Sequence, residues 1–166
     1  MRISTNYKQQ STHNLSLIKA VNATKGDVCE MGAGFSSTPL LHWITLGRKM
    51  ITYESDPDYA RFARKFVSDN HRVRHTTHFN DVDYDRAWSV VFIDHSPKRP
   101  RTRGDDAVKF KNVELMVLHD TEPESVENYG YQQVFDKYKY RCDWTLCKPF
   151  TTILSNTIDV TKWNSQ

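Results

Sequence analysis

Two short apolar runs without interruption, Val90 to Ile93 and Leu115 to Leu118, constrain this chain more than any other feature. A strand with one wet face alternates apolar and polar residues. Short runs that do not alternate belong to strands covered on both faces, as in a parallel sheet between two layers of helix. The rest of the chain agrees with that reading, because strand-like and helix-like segments alternate along it.

A short helix is predicted over residues 14 to 22, followed by a strand from Asp27 to Met31 that Gly32 and Gly34 end. Ser36 or Ser37 then serves as N-cap, Pro39 suits a first turn and Gly47 a stop, which predicts a helix of about three turns. Lys49 to Glu54 reads as a second strand. Asp56-Pro57 opens the clearest helix, with Tyr59, Phe62, Ala63, Phe66 and Val67 on one face. Arg72 to Thr76 is a third strand, Trp88 to Ile93 a fourth and Glu114 to Leu118 a fifth, with a short helix within Gly104 to Asn112. A single helix is expected from about Ser125 to Tyr138. Tyr140 to Cys147 and Phe150 to Asn156 are separated only by Lys148-Pro149, too short for a crossover, so they pair as an antiparallel hairpin at the sheet edge. The prediction is an α/β three-layer αβα sandwich with a mostly parallel sheet, one domain over residues 1–166, of which 1–25 form a helical N-terminal extension.

No apolar stretch approaches the roughly 20 residues of a membrane span. The first 14 residues contain no apolar core of a secretory signal, so a cytoplasmic setting is the expectation. Cys29, Cys142 and Cys147 form no CxxC pair and are expected to be reduced core thiols. A net charge of +3 names no partner.

In such a sheet a ligand lies beyond the carboxyl ends of the strands. The first strand ends in Glu30-Met31-Gly32-Ala33-Gly34-Phe35-Ser36, where the glycines let backbone turn sharply and approach a ligand closely. The second ends in Glu54, some two dozen residues on, about where a carboxylate accepts hydrogen bonds from both hydroxyls of a ribose. Ser37 stands where a dinucleotide motif needs its third glycine, and no GK[ST] follows, so pyrophosphate is a poor fit and an adenosyl ligand with an ammonium group a better one. The fourth and fifth strands end in Asp94-His95 and His119-Asp120, a dense set of titratable groups suited to taking a proton from a hydroxyl or amine.

These segments, DVCEMGAGFSST, ITYESD, VVFIDHSP and LMVLHDTE, resemble in order the motifs of class I S-adenosylmethionine-dependent methyltransferases. The resemblance covers roughly residues 26 to 122. It implies a Rossmann-like seven-stranded sheet of order 3-2-1-4-5-7-6 with an antiparallel edge strand, and S-adenosylmethionine lying across strands one and two. It further implies that Glu30, Met31, Gly32, Ala33, Gly34 and Ser36 hold the methionine part and that Glu54 and Ser55 hold the ribose. Thr77 and Phe79 would approach the adenine, and Asp94 would face the cofactor. Asp94, His95, His119 and Asp120 are the candidate catalytic residues.

Some catechol-type relatives hold a magnesium ion with two Asp and an Asn. Asp94 and Asp120 match two of these, Thr121 stands where the amide is wanted, and there is no HExxH, so no metal is expected. Within Lys98-Arg99-Pro100-Arg101-Thr102-Arg103, Arg99 and Arg101 are candidates for gripping an acidic acceptor. The expected activity is methyl transfer to oxygen or nitrogen of a small acceptor. Three alternatives stay open: a cofactor-binding module without turnover, a different Rossmann-like enzyme that uses a nicotinamide cofactor, and a nucleic-acid methyltransferase, against which DHSP lacks the aromatic position of [DN]PP[YF].

Overall fold

The computed structural model describes residues 11–96 and 102–165. The segment carrying Arg99 and Arg101 therefore lies outside the described residues.

Seven strands form one sheet: β1 (Val28–Met31), β2 (Met50–Glu54), β3 (His71–His75), β4 (Trp88–Ile93), β5 (Val113–His119), β6 (Tyr140–Trp144) and β7 (Thr151–Ser155). Their order is β3-β2-β1-β4-β5-β7-β6. All pairs from β3 to β5 are parallel, while β7 runs antiparallel to both β5 and β6, so β6 closes the edge outside the reversed strand.

The alternation of side chains along each strand sorts the core into two layers. Cys29, Met31, Val91, Ile93, Met116 and Leu118 point to one face, against Ala107, Tyr131, Val134 and Phe135. These belong to α4 (Thr102–Ala107) and to the α5 (Pro123–Tyr129) and α6 (Gln132–Phe135) region. Val28, Val90, Phe92, Leu115 and Val117 point the other way, onto Leu17, Ala20 and Val21 of α1 (Asn14–Asn22) and Leu41 of α2 (Ser37–Ile44). The apolar runs are buried on both faces because each face has its own helical layer.

Several helices are shorter than the periodicity predicts. α2 spans eight residues rather than three turns. α3 (Pro57–Ala63) starts where expected, with the Asp56 carboxylate accepting from the amides of Asp58 (2.8 Å) and Tyr59 (3.1 Å), but tightens into a 3₁₀ turn at Arg64–Phe66. Phe62 and Phe66 turn toward Phe35 and His42 instead of the sheet, and Val67 is exposed. The single helix expected from Ser125 to Tyr138 is two, since Gly130 takes a left-handed backbone (φ 70°) and caps α5. Cys29 and Cys142 are buried, but Cys147 lies exposed beyond the end of β6, so it is not a core thiol. No helix among the described residues is long and apolar enough to cross a membrane.

Candidate functional site

The carboxyl ends of β1, β2, β4 and β5 open into a cavity of about 520 Å³. Its shape begins with Gly32, whose amide donates to Tyr53 O (2.8 Å) while the Asp94 amide donates to Met31 O (2.8 Å), so the tips of β1, β2 and β4 are clamped together. Ala33, Gly34 and Phe35 form one wall, and Glu54, Ser55, Asp56, Pro57 and Tyr59 the next. The Glu54 carboxylate is nearly buried and accepts three backbone amides, from Ala33 (2.6 Å), Ser55 (2.5 Å) and Asp56 (2.6 Å). It thereby fixes the loop after β1 to the loop after β2, and burial, outweighing those bonds, raises its pKa.

Glu30 does not reach the cavity. It is fully buried on the α1/α2 face and accepts from the hydroxyls of Thr52 (2.7 Å) and Thr38 (3.0 Å). Thr38 in turn accepts from the Gly34 amide (3.0 Å), so Glu30 supports the glycine loop from below. Burial raises its pKa from the ordinary carboxylate value to about 7, although the hydroxyls of Thr52, Ser37 and Thr38 oppose the shift. The folded protein therefore binds this proton more tightly than the unfolded chain, and the stability so gained is lost as pH rises from about 5 through 7. Glu30→Gln should level this slope and stabilise the protein by about 3 kcal/mol at pH 8, with little change at pH 4.5. Urea denaturation at the two pH values checks it, and equal slopes for both proteins would contradict it.

The opposite end of the cavity is built from α1, β4, β5 and α4. His13, Asp94, His119, Asp120 and Arg103 line it, with Pro149 at the rim. Asp94 and His119 follow Phe92 and Val117 in side-chain alternation and so share the face of α1, which His13 precedes. His119 Nδ1 lies 3.1 Å from Asp94 Oδ1 and 3.5 Å from Asp120 Oδ1. Arg103 bridges the carboxylates, with Nη2 3.1 Å from Asp94 Oδ1 and Nη1 2.8 Å from Asp120 Oδ2.

Burial alone would raise the Asp94 pKa, but the charges and hydrogen bond of His119 and Arg103 outweigh it and hold the carboxyl well below the usual range. Burial likewise opposes a proton on His119, and the Asp94 carboxylate overcomes it, so the pKa rises. For His13 the balance is reversed: burial, helped by the charge of His119, outweighs the attraction of Asp94, lowers the pKa to about 4 and leaves the ring neutral.

Of the residues named from sequence, Ala33, Gly34, Glu54, Ser55, Asp94, His119 and Asp120 line the cavity. Met31 is a core side chain, and the Ser36 hydroxyl donates to Asn14 Oδ1 (3.0 Å), tying the loop to α1. His95 does not join the cluster. It continues the Val91 and Ile93 face, is buried against Phe79 (4.4 Å between ring centroids) and sits 3.3 Å from Asp106. Phe79 is consumed by that contact and Thr77 is exposed, so neither is part of the cavity wall, whose aromatic side is Phe35 and Tyr59. Sequence reasoning missed His13, which lies in the segment set aside as an extension. It also placed Arg103 in a charged loop, whereas it is buried on α4.

No protein-family model and no curated protein matches this sequence. Solved structures do resemble it in fold. The human methyltransferase 10 domain containing protein superposes with a TM-score of 0.60 at 13% identity, over 94% of this chain and 85% of its own. The O-methyltransferase from Bacillus cereus in complex with SAH gives 0.59 at 14%, over 92% and 82%. The catalytic domain of human Mettl16 in complex with a MAT2A 3'UTR hairpin gives 0.60 at 15%, over 96% and 74%. With its strand order and its reversed seventh strand, the chain has the fold of the class I S-adenosylmethionine-dependent methyltransferases.

Proposed function

We propose that this chain binds S-adenosylmethionine and transfers its methyl group to an oxygen or nitrogen of a small acceptor. The observation that carries the reading is the polarity of one continuous cavity. An acid-lined end at the tips of β1 and β2 leads into the His13, Asp94, His119, Asp120 and Arg103 cluster at the tips of β4 and β5.

The residues fit the cofactor's chemistry. Around Glu54 and Asp56 the described lining residues include no lysine or arginine, so a dinucleotide's phosphates would face carboxylates, while a cationic ligand is welcomed. Glu54 has three of its acceptor directions filled and retains capacity for a ribose hydroxyl. Phe35, Pro57 and Tyr59 offer an apolar wall for a flat base. When bound, the cofactor supplies a methyl group already activated on a sulfonium.

What remains for the protein is orientation and charge. Asp94 and Asp120 offer oxygens to the acceptor's hydroxyl or amine hydrogen, and Arg103 fixes both carboxylates in place. His13 and His119 are themselves almost wholly buried at the cavity base, which favours an acceptor small enough to enter.

Labelled methyl transfer to a panel of phenols, catechols, amines and short RNAs tests the proposal. Asp94→Asn is expected to lower transfer by about 100-fold or more while the cofactor still binds. Transfer to RNA alone would replace the small acceptor, and cofactor binding with no transfer to any acceptor would favour a module without turnover.

A further inference from the structure

The side chains at the base of the cavity leave a hydrogen-bonding imbalance that a proton alone does not resolve. Thr12 Oγ1 donates its only hydrogen to Pro149 O (2.7 Å), since a carbonyl can only accept. The same oxygen lies 3.1 Å from His119 Nε2, which must therefore be the donor in that contact. In a neutral ring Nδ1 is then a bare lone pair, and it faces Asp94 Oδ1 at 3.1 Å and Asp120 Oδ1 at 3.5 Å. Acceptors facing acceptors require a positive centre between them.

A second proton on His119 would answer that contact but not its neighbour. His13 is 2% exposed, stands edge-on to His119 with ring centroids 4.7 Å apart, and lines the same cavity. Among the described residues neither of its ring nitrogens has a hydrogen-bond partner. A buried imidazole left unpaired costs about 1–3 kcal/mol. One divalent cation satisfies the free nitrogen of His13, Nδ1 of His119 and the Asp94 carboxylate together.

We propose that His13, Asp94 and His119 bind a divalent transition ion of the Zn²⁺ kind, with its open position facing the cavity. One ligand atom from each of the three residues already lies within 4.8 Å of the others. The 3.1 Å between His119 Nδ1 and Asp94 Oδ1 is close to the spacing of adjacent ligands around an ion at roughly 2.1 Å. The third contact closes when the His13 ring moves in by roughly an ångström. Two imidazoles and one carboxylate select zinc, iron, cobalt or nickel over magnesium, which prefers an all-oxygen shell.

The surrounding charge is favourable, since Asp94 and Asp120 together outweigh Arg103 by one negative charge. Thr12 supplies the outer hydrogen bond that fixes the tautomer of a metal-bound histidine. This site stands on its three side chains and not on the methyl-transfer reading. Where that reading also holds, the open position takes the acceptor's oxygen or nitrogen. It departs from the sequence expectation of no metal, which weighed Asp94, Asp120, Thr121 and the spacing of the histidines along the chain but not the approach of His13 to the strand ends.

The test is titration of chelator-treated protein with Co²⁺, followed by Zn²⁺, in a Cys147→Ser background that removes the exposed thiol. The expected result is one equivalent of Co²⁺ with visible ligand-field absorption, displaced by Zn²⁺. His13→Gln and Asp94→Asn, checked for folding by circular dichroism, should each weaken binding by more than about tenfold. Protein that stays colourless in excess Co²⁺, or folded variants that bind as tightly as the parent, overturns the proposal. S-adenosylmethionine binding measured by calorimetry on the metal-free protein separates this outcome from failure of the methyl-transfer reading.

Discussion

Arg103→Ala is expected to destabilise the protein by about 3–5 kcal/mol, the largest loss from removing any one charged side chain. Arg103 is 5% exposed and its guanidinium serves four partners at once. Nε donates to His95 O (2.6 Å), Nη1 to Asp120 Oδ2 (2.8 Å) and more weakly to His119 O (3.4 Å), and Nη2 faces Asp94 Oδ1 (3.1 Å). The guanidinium carbon lies over the Tyr129 ring, 4.3 Å from its centroid. Alanine leaves two close carboxylates without their shared cation and frees the tips of β4 and β5 from each other. The melting temperature should fall by roughly 10 °C. Lysine would rescue little, because a point charge cannot reach both carboxylates and a backbone carbonyl. A loss below about 1 kcal/mol would mean that the pairs are solvated in practice.

Gly32→Ala should cost a similar amount, about 4 kcal/mol or more, through backbone and not charge. Gly32 takes φ 96°, in the left-handed region that side chains avoid. A β-carbon there would sit 2.5 Å from both the amide nitrogen and the α-carbon of His95. Neither can give way, since the preceding residue is held by the bond from the Asp94 amide to Met31 O. Urea denaturation of the variant measures the loss, and a midpoint near that of the parent would contradict it.

The sheet was legible because its strands carry unambiguous signals. Val90 to Ile93 and Leu115 to Leu118 have no polar face, and Lys148-Pro149 permits only a hairpin, so a mostly parallel sheet with an antiparallel edge followed from local pattern, while the strand order was implied by the family resemblance. Helix lengths were not legible. The stripe from Tyr59 to Val67 has a helical period, yet its later residues pack on Phe35 and His42, a tertiary preference invisible to periodicity. Gly130 ends α5 by a left-handed cap in a segment whose aromatic residues suggested continuity.

At the site, the acids at the strand ends were found, but their orientation follows from alternation. His119 shares the Leu115 and Val117 face, while His95 shares that of Val91 and Ile93. That parity was available in the sequence and turns His95 toward Phe79 and Asp106. His13 gave no such signal. It reaches the site only because α1 packs across β4 and β5, a contact that no residue spacing encodes.

Calorimetric titration of the parent and of Glu54→Ala, each with S-adenosylmethionine and with NAD⁺, reads both the identity of the cofactor and the part that the β2 carboxylate plays in holding it. The parent is expected to bind one equivalent of S-adenosylmethionine and to show no competing NAD⁺ site, and the variant to bind more weakly by about 1–3 kcal/mol. Absence of heat with S-adenosylmethionine, or identical affinity in the two proteins, would contradict it.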